Sequence, residues 1–272
     1  MAKIVEMINP LTGLPEQVDK LDHTAQEIDD AVGLAPQLSN PNLLDNWYFG
    51  NPVNQRGQTE YVVSAKSNAY TIDRWQMFYY AGSVSLENDG ITISANAGTN
   101  VAFVQKHENG LPDQYANFAY RGMKATLSAL ASDGTLGSKT FTFPETYQGN
   151  TTVVSFDILS EISIQIYFHN TAGVMTRIYV NKGKSVTLKG IKLELGSQQT
   201  LAHQDADGNW VLNEIPDYGE QLARCQRYFQ TFATESLRPT NALDFRPVMR
   251  TNPALSTITV GGKTLYTANA DL

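Results

Sequence analysis

Apolar and polar residues alternate through the middle of the chain. In ISIQIYFH, Ile162, Ile164, Ile166 and Phe168 take every second position. Successive side chains of a strand point to opposite faces, so this run describes one buried and one outward face. Thr152, Val154, Phe156 and Ile158 repeat the pattern, as do Phe141 with Phe143, Val84 with Leu86, Ile91 with Ile93, and Val101 with Phe103. In SVTLKGIKLEL the apolar phase runs through Val186 and Leu188, then shifts to Ile191, Leu193 and Leu195. Gly190 stands at the shift, where a β-bulge belongs. Turn signals separate the runs at Asn88-Asp89-Gly90, Asn109-Gly110, Ser132-Asp133-Gly134, Gln148-Gly149-Asn150 and Lys182-Gly183. Many short strands without helices between them predict a mainly β chain, with an antiparallel sandwich over residues 41–200.

The pattern changes at both ends. Leu11, Leu14, Val18, Leu21, Ala25, Ile28 and Val32 are spaced by threes and fours, an a/d heptad stripe. Pro15 suits a first helical turn, and Gly33 with Pro36 would stop the helix. So short and thinly striped a helix must lie on something, either its own domain or other copies of itself. The narrow stripe and the linker-like residues that follow favour a bundle of copies, so residues 1–40 are expected to attach and oligomerise. Residues 201–230 predict a loop and a short connector helix. Asp217 is placed to cap it, with Glu220 three residues on, and Tyr218, Leu222, Cys225 and Phe229 fall on one helical face. Cys225 is therefore expected to be a core thiol. Strand-like pieces at 228–232, 243–245 and 255–260, and a Gly261-Gly262 turn before 263–267, predict a small C-terminal β region over 231–272, half a sandwich in size.

Composition then narrows the function. The 272-residue chain is 42% apolar and 17% charged, with a net charge of -7 and no Lys/Arg cluster. Nucleic acid and anionic membranes both call for a basic footprint, so neither is an expected partner. No signal-peptide core and no 18-residue apolar run is present, so synthesis in the cytoplasm without a signal peptide is expected. One cysteine excludes an intramolecular disulfide framework. His23, His107, His169 and His203 show no metal-ligand spacing, and no nucleotide or nucleophile-elbow motif occurs. No metal, cofactor or catalytic residue is expected. Asp205, Asp207 and Asn209 read as a polar turn, because a calcium loop needs a glycine and a glutamate that are missing. Glu108 and Glu194 read as solvent-facing.

Five segments carry a resemblance: NLLDNWYFGNPVNQRG (42–57), YTIDRWQMFY (70–79), FVQKHEN (103–109), GMKATLSA (122–129) and GIKLELGSQQT (190–200). With PDYGEQLARCQRYF (216–229), they resemble bacteriophage and prophage tail-fibre or head-fibre proteins whose middle domain is like a jelly-roll carbohydrate-binding module. FRPVMRTNPAL (245–255) is similar to the opening of a C-terminal sandwich in the same proteins, although the chain is shorter than that domain needs.

The resemblance implies a virion fibre subunit that forms a homotrimer through Leu14, Val18, Leu21, Ala25, Ile28 and Val32. It would meet other virion proteins through its N-terminus and adhere to host cell-surface glycan through the jelly roll. A polysaccharide-degrading depolymerase spike and a purely structural spacer or decoration protein are the alternatives. Sugar sites pair flat rings with planar hydrogen-bonders. That makes Trp75, Tyr79, Tyr80, Tyr115 and Tyr120, with Asn100 and Gln114, the candidate ligand contacts, although at least half of these rings must serve the core. Trp47 and Phe49 with Leu43 and Leu44 are expected to seal the first strand onto the core. Arg56 and Arg74 are expected to tie strand ends to Asp45 and Asp73.

Overall fold

The computed structural model describes residues 4–8, 15–19, 39–64, 68–78, 81–233, 247–260 and 262–270. The chain divides into two units, Met1–Leu38 and Ser39–Leu272. In the first, β1 (Ile4–Ile8) pairs antiparallel with β2 (Pro15–Asp19), Val5 opposite Val18. The heptad reading placed helix where β2 is extended. IVEMI offers β-branched residues as an antiparallel partner, and Pro15 takes the first strand position, where a sheet accepts proline. Val18 therefore sits in a strand, while Leu14, Leu21, Ala25, Ile28 and Val32 lie outside the described residues.

The second unit holds two six-stranded antiparallel sheets. The first runs β10 (Leu136–Thr142), β9 (Lys124–Ala131), β14 (Ser185–Leu195), β7 (Gly90–Ala95), β6 (Gly82–Glu87) and β3 (Glu60–Val63). The second runs β11 (Thr151–Leu159), β12 (Ile162–His169), β13 (Gly173–Val180), β8 (Val101–Lys106), β5 (Gln76–Met77) and β4 (Ala69–Tyr70). Strand β7 lies beside β14 in one sheet, and β8 beside β13 in the other. Within these outer wraps, β9–β10 is a hairpin and β11–β12–β13 a meander.

One apolar cluster fills the space between the sheets. Ile162, Ile164, Ile166 and Phe168 of β12 meet Ile91, Ile93, Leu127, Leu188, Ile191 and Leu193 of the first sheet. The alternation seen in the sequence is thus the inward phase of each strand. The pairing of β14 with β9 shifts between Leu188 and Gly190, which is the bulge that the phase change required. A Cβ on Gly190 would lie 3.3 Å from the Trp47 carbonyl oxygen, so the bulge also lets the opening segment pass close by. That segment runs along β14 through Leu43 N–H to Leu193 O (2.8 Å) and Phe49 N–H to Lys189 O (2.9 Å). Leu44, Trp47 and Phe49 are buried beneath it, and Leu43 is half-buried.

After the sandwich, β15 (Ala202–Gln204) and β16 (Trp210–Leu212) form a small hairpin. Its turn is polar: Asp205 Oδ1 accepts from the N–H groups of Asp207 (3.0 Å) and Asn209 (2.8 Å). Helix α1 (Tyr218–Gln226) follows, its N-cap Asp217 accepting from Glu220 N–H at 2.8 Å. Cys225 is buried. The single face expected for this helix is broken at both ends. Tyr218 is exposed at the N-terminus, and the helix stops before Phe229, which opens β17 (Phe229–Ala233). Strand β17 pairs with β19 (Lys263–Asn269), and β19 with β18 (Ala254–Val260), as a three-stranded C-terminal sheet. The strand expected at 243–245 lies outside the described residues.

Glu194 corrects the reading of it as solvent-facing. It occupies the outward phase of β14 yet has no exposed surface, because residues around Thr200 fold over it. Thr200 N–H donates to its carboxylate at 2.6 Å, and the Thr200 hydroxyl donates as well. Lys192, beside it, is equally buried and reaches Ser39 Oγ and, at 3.3 Å, the Glu214 carboxylate.

Candidate functional site

The ligand residues expected from the sequence do not converge. Trp75 has no exposed surface; it stacks on Phe103 with 5.1 Å between ring centroids and donates its indole N–H to Asn46 O at 3.0 Å. It is a core residue with its one polar group satisfied, which leaves nothing to offer a ligand. Tyr115 is also core, packed among Phe118, Tyr147 and Phe168, its hydroxyl donating to Pro144 O at 2.7 Å. Burial pushes its phenol up to about 12. Tyr79 and Tyr80 lie outside the described residues. Gln114 is exposed, just before a 3-10 turn at Tyr115–Asn117. Tyr120 is half-buried at the mouth of a small polar cleft.

The two arginines sit where the sequence put them. Arg56 Nη1 is 2.8 Å from Asp73, and Arg74 Nε is 3.0 Å from Asp45. Asn54 and Gly57 close the turn around Arg56 with a 3.1 Å backbone bond, Gly57 taking φ +72°.

The constellation of rings, amides and a guanidinium occurs instead on the outward face of the second sheet. Between the inward isoleucines of β12 lie Ser163, Gln165 and Tyr167; between the inward residues of β13 lie Met175, Arg177 and Tyr179. Antiparallel register sets Gln165 opposite Arg177 and Tyr167 opposite Met175. The Arg177 guanidinium lies 4.0 Å from the Tyr167 ring centre and 4.9 Å from that of Tyr179. Its Nε donates to Gln165 Oε1 at 2.7 Å, and Gln165 donates on to Ser163 Oγ at 2.6 Å. At the ends of the ladder, Asn100 Nδ2 donates to Tyr179 Oη (2.6 Å) and Tyr167 Oη donates to Asn150 Oδ1 (3.3 Å).

This row is held from the side as well as along its length. Phe78, Ala102, Val104 and Met175 form a second apolar cluster on the same face, with Tyr167, Ala172 and Tyr179 packed against it. The rings are therefore fixed in place with one side half-exposed, which is how a surface keeps aromatic area available at small entropy cost. His169 stands against Phe78 at 5.3 Å between ring centroids. Burial, then Lys106 and Arg177, lowers its pKa, and its Nδ1 accepts from Ala172 N–H at 3.2 Å. The neutral imidazole closes its own turn. Together these groups can stack on the apolar face of a ring and hydrogen-bond its rim.

Sequence reasoning passed over this row because it scored the apolar phase as core and the other as solvent. The outward letters, Gln165 with Tyr167 and Arg177 with Tyr179, were the available signal. Their juxtaposition depends on register, which alternation within one strand does not set. Compared with protein-family models, with curated proteins and with solved structures, the chain matches none.

Proposed function

We propose that the protein is a subunit of a bacteriophage tail or head fibre that adheres to host cell-surface glycan through the outward face of its second sheet. The observation that supports this most is the half-exposed Tyr167–Arg177–Tyr179 ladder, bonded to the buried Gln165 and braced from the neighbouring strand. A pyranose has one apolar face and a rim of hydroxyls, and the ladder offers a partner for each. On this reading the sandwich is a jelly-roll variant: the wraps β7 beside β14 and β8 beside β13 suit a jelly roll, with a hairpin and a meander inside them.

Each site would bind weakly, so the virion must supply repetition. A homotrimer joined to other virion proteins through the N-terminal segment would multiply avidity without new contacts. Binding to immobilised host-surface polysaccharide tests the reading. Arg177→Ala and Tyr167→Ala are expected to weaken it by at least tenfold while the fold persists, and sedimentation is expected to give a trimer. Binding that both variants retain would refute this face as the site. New reducing ends released from the polysaccharide would move the assignment to a depolymerase, and a trimer that binds no glycan would move it to a spacer.

A further inference from the structure

A cleft of about 220 Å³ opens where the first residues of the sandwich, the turn after β8 and the end of α1 meet. Its chemistry differs from that of the aromatic face. Arg74, Lys106, Arg224 and Arg227 line it, against only two carboxylates, Asp45 and Glu108. Asp45 is engaged twice, by Arg74 Nε at 3.0 Å and Arg224 Nε at 2.7 Å. Glu108 accepts from Arg227 at 3.3 Å and from the Tyr228 hydroxyl. The Lys106 ammonium lies 5.8 Å from the Phe78 ring centre, so three arginines against two carboxylates leave a local formal charge of +1, in a chain whose total is -7. A concave, low-dielectric wall concentrates such an excess and draws anions to it.

The arginines differ in their freedom to serve a ligand. Arg74 is a fixture: its side chain is 3% exposed, it lies 3.5 Å over the Tyr228 ring and its Nη2 donates to Lys106 O at 3.1 Å. Arg224 and Arg227 are three residues apart at the end of α1 and half-exposed, so both guanidiniums reach the mouth from one side of the helix. Planar forks at this spacing match a carboxylate better than a point charge. In the same cleft, the half-buried Tyr120 ring gives an apolar wall, while Asn109 and the exposed Glu108 carboxylate can take hydroxyl groups. Burial and the neighbouring Arg74 keep His107 neutral above about pH 4, so it adds no charge at pH 7.

We propose that this cleft binds a carboxylated monosaccharide of the hexuronate class, its carboxylate between Arg224 and Arg227 and its ring against Tyr120. The assignment does not depend on the fibre reading, because it rests on a different surface and a different ligand charge. Titration of the full chain by heteronuclear NMR with glucuronate, glucose and inorganic phosphate tests it. Saturable shifts at 106–109 and 224–228 are expected with glucuronate, with glucose at least tenfold weaker. Arg227→Gln, on a half-exposed side chain, should weaken glucuronate at least fivefold without changing the melting temperature. Glu108→Gln should act in the opposite direction, tightening binding by removing a competitor for Arg227. Equal affinity for glucose, phosphate binding as tight as glucuronate, or unchanged affinity in both variants would each overturn the proposal.

Discussion

Arg56→Ala is expected to destabilise the second unit by about 4 kcal/mol, and the size follows from what the guanidinium touches. Its side chain is 12% exposed and that of Asp73 is not exposed at all, with 2.8 Å between Nη1 and Oδ1. The guanidinium also lies 3.8 Å from the Phe229 ring centre and 5.1 Å from that of Tyr70. Breaking a buried pair by removing one partner costs roughly 3–5 kcal/mol, mainly because the other charge stays buried. Gln55 N–H, at 3.0 Å, still donates to Asp73 in the variant and keeps the loss toward the lower end. A desolvated cation–π contact adds about 2 kcal/mol, though the two terms share one side chain and do not sum fully. For a unit of this size, about 4 kcal/mol lowers the melting temperature by roughly 8–16 °C.

Urea unfolding followed by tryptophan emission reads this directly, since Trp47 and Trp75 are buried. Arg56→Met separates packing from charge, and Asp73→Asn completes a double-mutant cycle with a coupling of roughly 1–3 kcal/mol. An Arg56→Ala protein within about 1 kcal/mol of the parent, or a cycle that sums without coupling, would refute the argument.

Three further outcomes follow from other parts of the fold. Burial first, and then the Arg74 guanidinium, lowers His107 from 6.5 to about 4, against a smaller raising effect of Asp45. Between those values the unfolded chain takes up the proton and the native chain does not, so stability falls as pH drops through the window. About 2 kcal/mol should be lost by pH 5, and His107→Gln should flatten that slope in urea melts at pH 7 and pH 5. At Gly90, φ is +146° and a Cβ would lie 2.1 Å from the Leu188 carbonyl oxygen; at Gly134, φ is +88° with open space around it. Gly90→Ala should therefore cost about 3 kcal/mol or more and Gly134→Ala about 1 kcal/mol, a difference that thermal melts resolve. Glu194→Ala strands the buried Thr200 N–H and should cost roughly 1–3 kcal/mol by chemical denaturation.

What could be read from the sequence was whatever one strand decides by itself. The inward phase of β12, the bulge at Gly190 and the cap at Asp217 each depend on a few adjacent residues, and each is in place. The errors fall where a second segment decides. Val18 is in a strand because Val5 is opposite it, although its spacing to neighbouring apolar residues suits a helix. Trp75 looks like a ligand contact until Phe49 and Phe103 are seen to enclose it.

The outward faces of the two sheets follow the same rule, and the rule explains why the candidate site is on one of them. On the first sheet, Thr126 and Ser128 of β9 stand opposite Glu194 and Lys192 of β14. All four are buried, because Ser39, Asn40, Thr200 and Glu214 close over that side. Thr126, Lys192 and Glu194 there became internal fastenings, while Ser128 Oγ is buried without a hydrogen-bond partner among the described residues. On the second sheet, Gln165, Tyr167, Arg177 and Tyr179 hold the same kind of position; Gln165 is buried, but Tyr167, Arg177 and Tyr179 stay half-exposed among the described residues. Alternation gives both faces the same signature, so the difference between a fastening and a binding surface lies in which face the rest of the chain covers.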